Sequence, residues 1–174
     1  MYKKQVSLIL VLIVCLLLLT GHRFTPEQAA SLQIETEHVQ FMNHFKIDDT
    51  FLYVFKNEKT KSYVTVTSEK TNLLYRSRTV SKISAHKKDL QMISTYTHYD
   101  QPFTFFVVQS FDNNIGYIQA GKKGEQQIKS TQNRDMIPFF FSGSANIASL
   151  QPVALNHEKE VIYRYDAASK WYKP

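Results

Sequence analysis

The chain has 174 residues, with 21 Lys or Arg against 15 Asp or Glu, a formal net charge of +6 and one cysteine. A single Cys, placed at position 15 inside an apolar N-terminal segment, excludes a disulfide framework and a thiolate metal cluster. The length is typical of one domain, and a body of about 140 residues after that segment can bury close to 70% of its unfolded surface without disulfides.

The N-terminal segment predicts a membrane location. Residues 6–20 contain no charged residue and no proline, and Lys3 and Lys4 precede them. Such a run rises roughly 22 Å as a helix, which is short for a bilayer core of about 30 Å but within what local thinning and snorkelling flanking residues accommodate. Residues 1–21 are therefore predicted to be a transmembrane anchor or uncleaved signal; cleavage is the alternative, although the small residues it requires are poorly represented before His22. The positive-inside rule places the N-terminus in the cytoplasm and the remaining chain outside, in the cell envelope.

Residues 22–47 are predicted to form a membrane-proximal linker and helix. A capping hydroxyl, a proline at the first helical position and a Gln three residues after the cap form a start signal. Apolar residues farther along recur at helical spacing. The residues concerned are Thr25, Pro26 and Gln28 for the start, and Val39, Met42 and Phe45 for the spacing. We expect either one helix of about 20 residues or a linker followed by a shorter helix.

Residues 48–174 are predicted to be one extracytoplasmic β domain. Short segments rich in aromatic and β-branched residues alternate with turn signals, which indicates an antiparallel sandwich or strongly curved sheet after one short helix. The first segment, residues 51–55, is apolar on both faces and should be a central strand. Pro138 confines its segment to a sheet edge or a bulge. A final hairpin is expected to turn at residues 157–159.

The order of these features resembles small membrane-anchored envelope proteins of Gram-positive, Bacillus-like bacteria. The residues that carry the resemblance are Gly116, Tyr117 and Ile118, the pair Arg134 and Asp135 with the aromatic run 139–141, and the closing segment 154–163. In that closing segment the Asp-Gly turn of such proteins is replaced by Glu158 and Lys159. The resemblance implies a location and a β fold, and it transfers no catalytic or binding residue.

Motifs for catalysis are absent from the sequence, which contains no HExxH, G-x-S-x-G, P-loop or CxxC. We therefore expect a non-enzymatic binding or interaction module with no cofactor and no bound metal. The alternative is an envelope hydrolase or metal-dependent enzyme that uses the carboxylates Asp112, Asp135 and Asp166. His86 and His98 could join a metal site only if the fold brings them together; solvated or hydrogen-bonded histidines are the simpler interpretation.

The distribution of charge suggests a partner. Residues 56–88 carry nine basic and two acidic side chains, whereas residues 89–174 carry eight of each. Because gathered like charges repel, this region is expected to meet a polyanion, either anionic lipid or a wall polymer, with a solvated basic face as the alternative. The candidate contact residues are Lys59, Lys61, Arg76 and Arg78. Another membrane or secreted protein is a further candidate partner through an aromatic patch, given 12 Phe and 10 Tyr, and nucleic acid is not expected outside the cell.

Overall fold

The computed structural model describes residues 2–34, 37–86, 89–131, 136–166, 168 and 170–174. Its elements are α1 (Tyr2–Leu19), α2 (Pro26–Ser31), β1 (Val39–Ile47), β2 (Thr50–Asn57), β3 (Ser62–Thr71), β4 (Leu74–Ser84), β5 (Leu90–His98), β6 (Phe103–Ser110), β7 (Tyr117–Ala120), β8 (Gln127–Ser130), β9 (Met136–Ser142), a 3-10 helix (Ile147–Leu150), β10 (Val153–Leu155), β11 (Val161–Tyr165) and β12 (Trp171–Tyr172). The chain is mostly β, in antiparallel sheets, with the short helix α2 ahead of them, as predicted. Within the described ranges no helix is long and apolar enough to cross a membrane.

The chain divides into two compact units. Unit 1 comprises Met1–Thr60 and Val64–Val80, and unit 2 comprises Lys61–Tyr63 and Ser81–Pro174. Three sheets are formed, with strand orders β1-β2-β3-β4, β5-β6-β9 and β12-β11-β10-β7-β8.

Strand β2 lies inside the first sheet, between β1 and β3. Its side chains alternate between the two faces, and both sets are buried: Leu52 and Val54 are fully buried on one face, and Tyr53 and Phe55 are buried on the other. The prediction of a central strand with two apolar faces is confirmed. Because its backbone groups are paired on both sides, this apolar strand presents no open edge to a second chain.

Helix α2 covers one face of this sheet in unit 1. Ala29 and Ala30 are buried, and Ala30 belongs to the same apolar cluster as Tyr53 and Phe55. Small side chains let the helix backbone approach the strands closely enough for the Ser77 hydroxyl to donate a hydrogen bond to the Ala29 carbonyl. The start signal is confirmed, since the Thr25 hydroxyl accepts a hydrogen bond from the backbone N–H of residue 28 and a proline opens the helix.

A second polar contact ties α2 to β2. The Tyr53 hydroxyl donates a hydrogen bond to the Glu27 carboxylate over 3.0 Å. Burial raises the pKa of Tyr53, and the hydrogen bond to Glu27 raises it further. A hydrogen bond from its own backbone N–H has the largest effect on the pKa of Glu27 and lowers it; burial opposes this, and the bond from Tyr53 lowers the pKa to a smaller extent. Each partner is thereby held in the protonation state that the bond requires.

The helical prediction for the rest of residues 22–47 is wrong, because α2 ends at Ser31 and residues 39–47 form the strand β1. The register of β1 against β2 shifts between Phe41 and Asn43, which is a β-bulge. An extra residue reverses the alternation of side chains along a strand. Val39 therefore packs on the α2 face, while Phe45 pairs with Leu52 and faces the other side. The helical spacing of apolar residues in this part of the sequence therefore belongs to a bulged strand.

Unit 2 buries a large aromatic and aliphatic core between two sheets. Buried residues of β5, β6 and β9 belong to the same cluster as buried residues of β7, β10 and β11. Phe106, Phe139 and Phe141 form the middle of this core, with the first two rings stacked at a centroid separation of 4.9 Å. Six of the 12 Phe and four of the 10 Tyr side chains are buried by packing of this kind in the two units.

Strand β9 is an edge strand that pairs with β6 on one side only, which confirms the placement predicted from Pro138. Its outer carbonyl groups are covered by side chains of β8: Lys129 Nζ donates to the carbonyl of Pro138 over 2.6 Å, and Gln127 Nε2 donates to that of Phe140. Burial lowers the pKa of Lys129, whose ammonium also lies 5.1 Å from the ring centroid of Phe139. Pro138 removes one N–H from this edge but leaves its carbonyl groups free to pair with another strand. The contacts from β8 cover two of these carbonyl groups.

The final hairpin is formed by β10 and β11, which pair antiparallel, as predicted. Asn156 closes its turn by accepting a hydrogen bond from the backbone N–H of Glu160. Lys159 has φ +65° in this turn, in the left-handed region that favours glycine. β12 then extends the sheet beside β11.

Candidate functional site

Strand β4 carries two of the four predicted contact residues. It is the outer strand of the first sheet, and Arg76 and Arg78 are exposed on either side of the buried Ser77. Residues two apart in a strand share a face, so both guanidinium groups are presented on the same side of β4. Because Ser77 bonds to α2, that side is the one opposite the helix.

The other two predicted residues lie elsewhere. Lys59 and Lys61 are in the turn that joins β2 to β3, whereas Arg76 and Arg78 follow the turn that joins β3 to β4. Strand β3 has 10 residues and is therefore roughly 33 Å long, about three to four Debye lengths at physiological salt. The structure thus brings the two arginines together and places Lys59 at the opposite end of the strand. A basic stretch in the sequence becomes two separate basic sites in the fold.

Neighbouring carboxylates partly balance this charge. Arg78 lies 3.6 Å from Glu69 of β3, and Lys56 lies 2.7 Å from Glu58. Both are exposed pairs, which are worth about 0–1 kcal/mol each. Residues 87 and 88, the last two basic residues of the predicted region, lie outside the described residues.

The end of α1 is joined to β4 by a short tether. Residues 20–22 separate α1 from Arg23, whose backbone exchanges hydrogen bonds of 2.9 and 2.7 Å with Tyr75 at the start of β4. Four residue steps span at most about 14 Å. The beginning of β4, next to Arg76, is therefore kept close to the end of α1, whatever angle the helix adopts.

Unit 2 contains a groove of about 350 Å³ that the sequence did not predict. One wall is formed by the end of β4 and the start of β5, where Ile83, Leu90 and Met92 supply apolar side chains. The facing wall is formed by the β11–β12 hairpin, where the rings of Tyr165 and Trp171 meet edge to face at a centroid separation of 5.3 Å.

Hydrogen bonds fix the two walls of this groove. Gln91 donates from Nε2 to the carbonyl of Ser84 over 2.6 Å and accepts at Oε1 from the backbone N–H of His86, which ties the chain after β4 to β5. The Tyr163 hydroxyl donates to the carboxylate of Asp89 over 3.2 Å and so joins β11 to the residue before β5. Burial raises the pKa of Tyr163. The groove is thus a feature of the folded unit, held from both sides.

The polar residues that line this groove are Ser84, His86, Gln91, Thr95 and Lys170, and no acidic residue is among its described lining residues. Trp171 also lines it, and its indole Nε1 is buried without a hydrogen-bond partner among the residues that the structure describes. A buried donor without a partner costs about 1–3 kcal/mol and is rare in folded proteins.

The two described carboxylates of the enzymatic alternative, Asp112 and Asp166, each take part in a local turn. The side chain of Asp112 accepts a hydrogen bond from the backbone N–H of Asn114, and that of Asp166 accepts one from the backbone N–H of Lys170, so each closes a local turn. Asp135 lies outside the described residues.

The two candidate histidines also have separate surroundings. His98 Nδ1 accepts a hydrogen bond from the backbone N–H of residue 101, and its ring stacks on Phe103, whereas His86 lines the groove. Within the described ranges no group of three or more His, Cys, Asp or Glu is placed to hold a metal ion.

Comparisons of the chain with protein-family models, with curated proteins and with solved structures find no match. The resemblance to Gram-positive envelope proteins therefore stays a prediction, and function has to be argued from the molecule itself.

Proposed function

We propose that this protein is a membrane-anchored, extracytoplasmic interaction module, held at the membrane by α1 with its β units outside the cell. The observation that carries the proposal is the surface of α1, where Leu8, Ile9, Leu10 and Val11 are consecutive and each is 56–64% exposed. Consecutive helical residues are about 100° apart, so these four side chains cover the whole circumference. A helix that is apolar all round needs a core or a membrane to bury it.

As an anchor α1 would be short. Its 18 residues rise about 27 Å, but Lys3 and Lys4 lie in its first turn, and the apolar residues 6–19 rise only about 21 Å against a hydrocarbon core of about 30 Å. Local thinning of the bilayer compensates for such a mismatch at a modest cost. Two lysines precede the apolar run, which under the positive-inside rule favours a cytoplasmic N-terminus.

The partner that this arrangement favours is anionic lipid, met by Arg76 and Arg78. The tether to Tyr75 keeps these side chains near the point where α1 would leave the bilayer, within the range over which surface charge acts. Each Arg near an anionic membrane surface contributes about 1 kcal/mol. Lys59, at the far end of β3, is too distant to share this contact.

Fractionation of cells that express the full-length chain tests the anchor. We expect the unprocessed protein in the membrane fraction after a high-salt wash, and we expect external protease to digest the β units in intact cells. A processed chain that begins near His22 in the medium, or full-length protein in the soluble fraction, would contradict the proposal. The high-salt wash matters because it removes protein held by basic residues alone.

A further inference from the structure

We propose that the groove of unit 2 is a binding site for a small carboxylate with an apolar or aromatic body. Its walls and floor have the composition typical of ligand sites, in which apolar side chains enclose most of the ligand and a few polar groups orient it. The volume of about 350 Å³ is at the lower end of the range for such sites, which favours a small ligand.

The polar groups of the groove identify the charge of the ligand. Gln91 is occupied at both ends by the backbone, so it shapes the wall and is not available to a ligand. Donors remain: the buried indole N–H of Trp171 lacks a partner among the described residues, and Lys170, an exposed residue, lines the same wall. A carboxylate can accept from both donors, because each of its oxygens has two lone pairs.

The remaining surfaces identify the body of the ligand. Ile83 and Tyr165 are half-buried and line the groove beside the buried Leu90 and Met92, so an aliphatic or aromatic group would replace water against these two exposed surfaces. A free small acid and the C-terminal residue of a peptide present the same chemistry, namely a carboxylate beside an apolar group. The site is independent of the membrane proposal, because no groove-lining residue belongs to α1.

The chain provides its own probe for this site, because Trp171 is the only tryptophan. Phenylacetate, octanoate and N-acetylphenylalanine are titrated separately into the full-length protein in mild detergent while tryptophan emission is recorded. Phenylacetamide, which has the same ring and no charge, is the matched neutral ligand. We expect a saturable change with at least one of the acids and binding at least tenfold weaker for phenylacetamide, since a hydrogen bond to a charged group exceeds a neutral one by about that factor. Preference for N-acetylphenylalanine would assign the site to peptide C-termini, and preference for the other acids to free small molecules.

Two variants test the donors. Lys170→Gln should weaken binding of the preferred acid about tenfold without changing the affinity for phenylacetamide, whereas Lys122→Gln is the matched control and should change neither. Lys122 is exposed in the loop after β7 and does not line the groove. Trp171→Phe should weaken binding of the acid, measured by calorimetry, because the indole N–H is lost. Circular dichroism verifies that each variant is folded. No saturable change with any acid at millimolar concentration, equal binding of acid and amide, or equal effects of the two lysine variants would overturn the inference.

Discussion

Replacing Phe139 by Ala tests the core of unit 2 and the register of β9 together. Phe139 is fully buried, its ring stacks on Phe106 at 4.9 Å, and its centroid lies 6.4 Å from that of Phe141. Phe→Ala at such a site removes the buried ring and leaves a cavity, which costs about 3–5 kcal/mol. Since domains of this size are stable by about 5–15 kcal/mol, the midpoint of urea unfolding should fall markedly.

Phe140 is the matched control for this measurement. It is the next residue of β9, points to the opposite face and is 38% exposed, so Phe140→Ala should cost about 1 kcal/mol. Urea unfolding followed by circular dichroism compares the two variants in the full-length protein. A one-residue slip of β9 against β6 would exchange the two side chains. A larger loss for Phe140→Ala than for Phe139→Ala would therefore refute the register and the core built on it.

Three further changes have expected outcomes. Lys159→Gly should stabilise the protein by about 0.5–1 kcal/mol in urea unfolding, because φ +65° strains any residue but glycine; a loss of stability would mean that the turn has another conformation. Glu27→Gln should be less stable than wild type above pH 4.5, the ordinary pKa of Glu, and the two should converge as pH falls through the lowered pKa of Glu27, since protonation weakens its acceptance from its own backbone N–H and, to a smaller extent, from Tyr53; a constant difference across this window would count against these hydrogen bonds. Leu12→Arg should weaken membrane insertion by about 2.5–3.5 kcal/mol, whereas Leu32→Arg, an exposed leucine outside α1, should leave the membrane fraction unchanged; equal effects would argue against α1 as the anchor.

Features encoded by neighbouring residues could be predicted from the sequence. The central position of β2 follows from two apolar faces, and the edge position of β9 follows from the missing N–H of Pro138. The final hairpin is defined by a polar turn between two apolar segments, and the start of α2 by a capping Thr25. In each case the physical cause lies within about ten residues of the element.

Strand β1 shows where this local argument fails. Val39, Met42 and Phe45 are three residues apart in the sequence, a spacing that is typical of a helix. In β1 the bulge at Met42 reverses the alternation of side chains, so Val39 and Phe45 lie on opposite faces of the strand. Pairing with β2 decides the outcome, because the Phe41 and His44 rings contact the Phe55 and Tyr53 rings across the strands. The periodicity of the sequence does not show that β1 pairs with β2.

The candidate sites show a similar limit. The basic residues are close together in the sequence, but an antiparallel hairpin places Lys59 and Arg76 at opposite ends of β3, so proximity in sequence does not become proximity in space. The groove was missed because its walls come from segments about 80 residues apart, without a motif in either. A lone tryptophan next to a lysine was the only available signal, and it fits ordinary core packing equally well.

Hydrogen–deuterium exchange of the full-length protein in nanodiscs tests the central claim most directly. We expect the amides of β4, an outer strand, to exchange more slowly in phosphatidylglycerol nanodiscs than in phosphatidylcholine nanodiscs, and the difference to disappear in high salt. Two arginines at about 1 kcal/mol each correspond to roughly a 30-fold change in the population of the contact.

Matched pairs of variants decide the result. Arg76→Gln with Arg78→Gln should remove the slowing in anionic nanodiscs, and Lys59→Gln with Lys61→Gln should preserve it. Equal exchange of β4 in the two lipids, slowing that appears only when purified wall polymer is added, or an equal loss of slowing in the lysine pair would contradict a β4 surface held against anionic lipid.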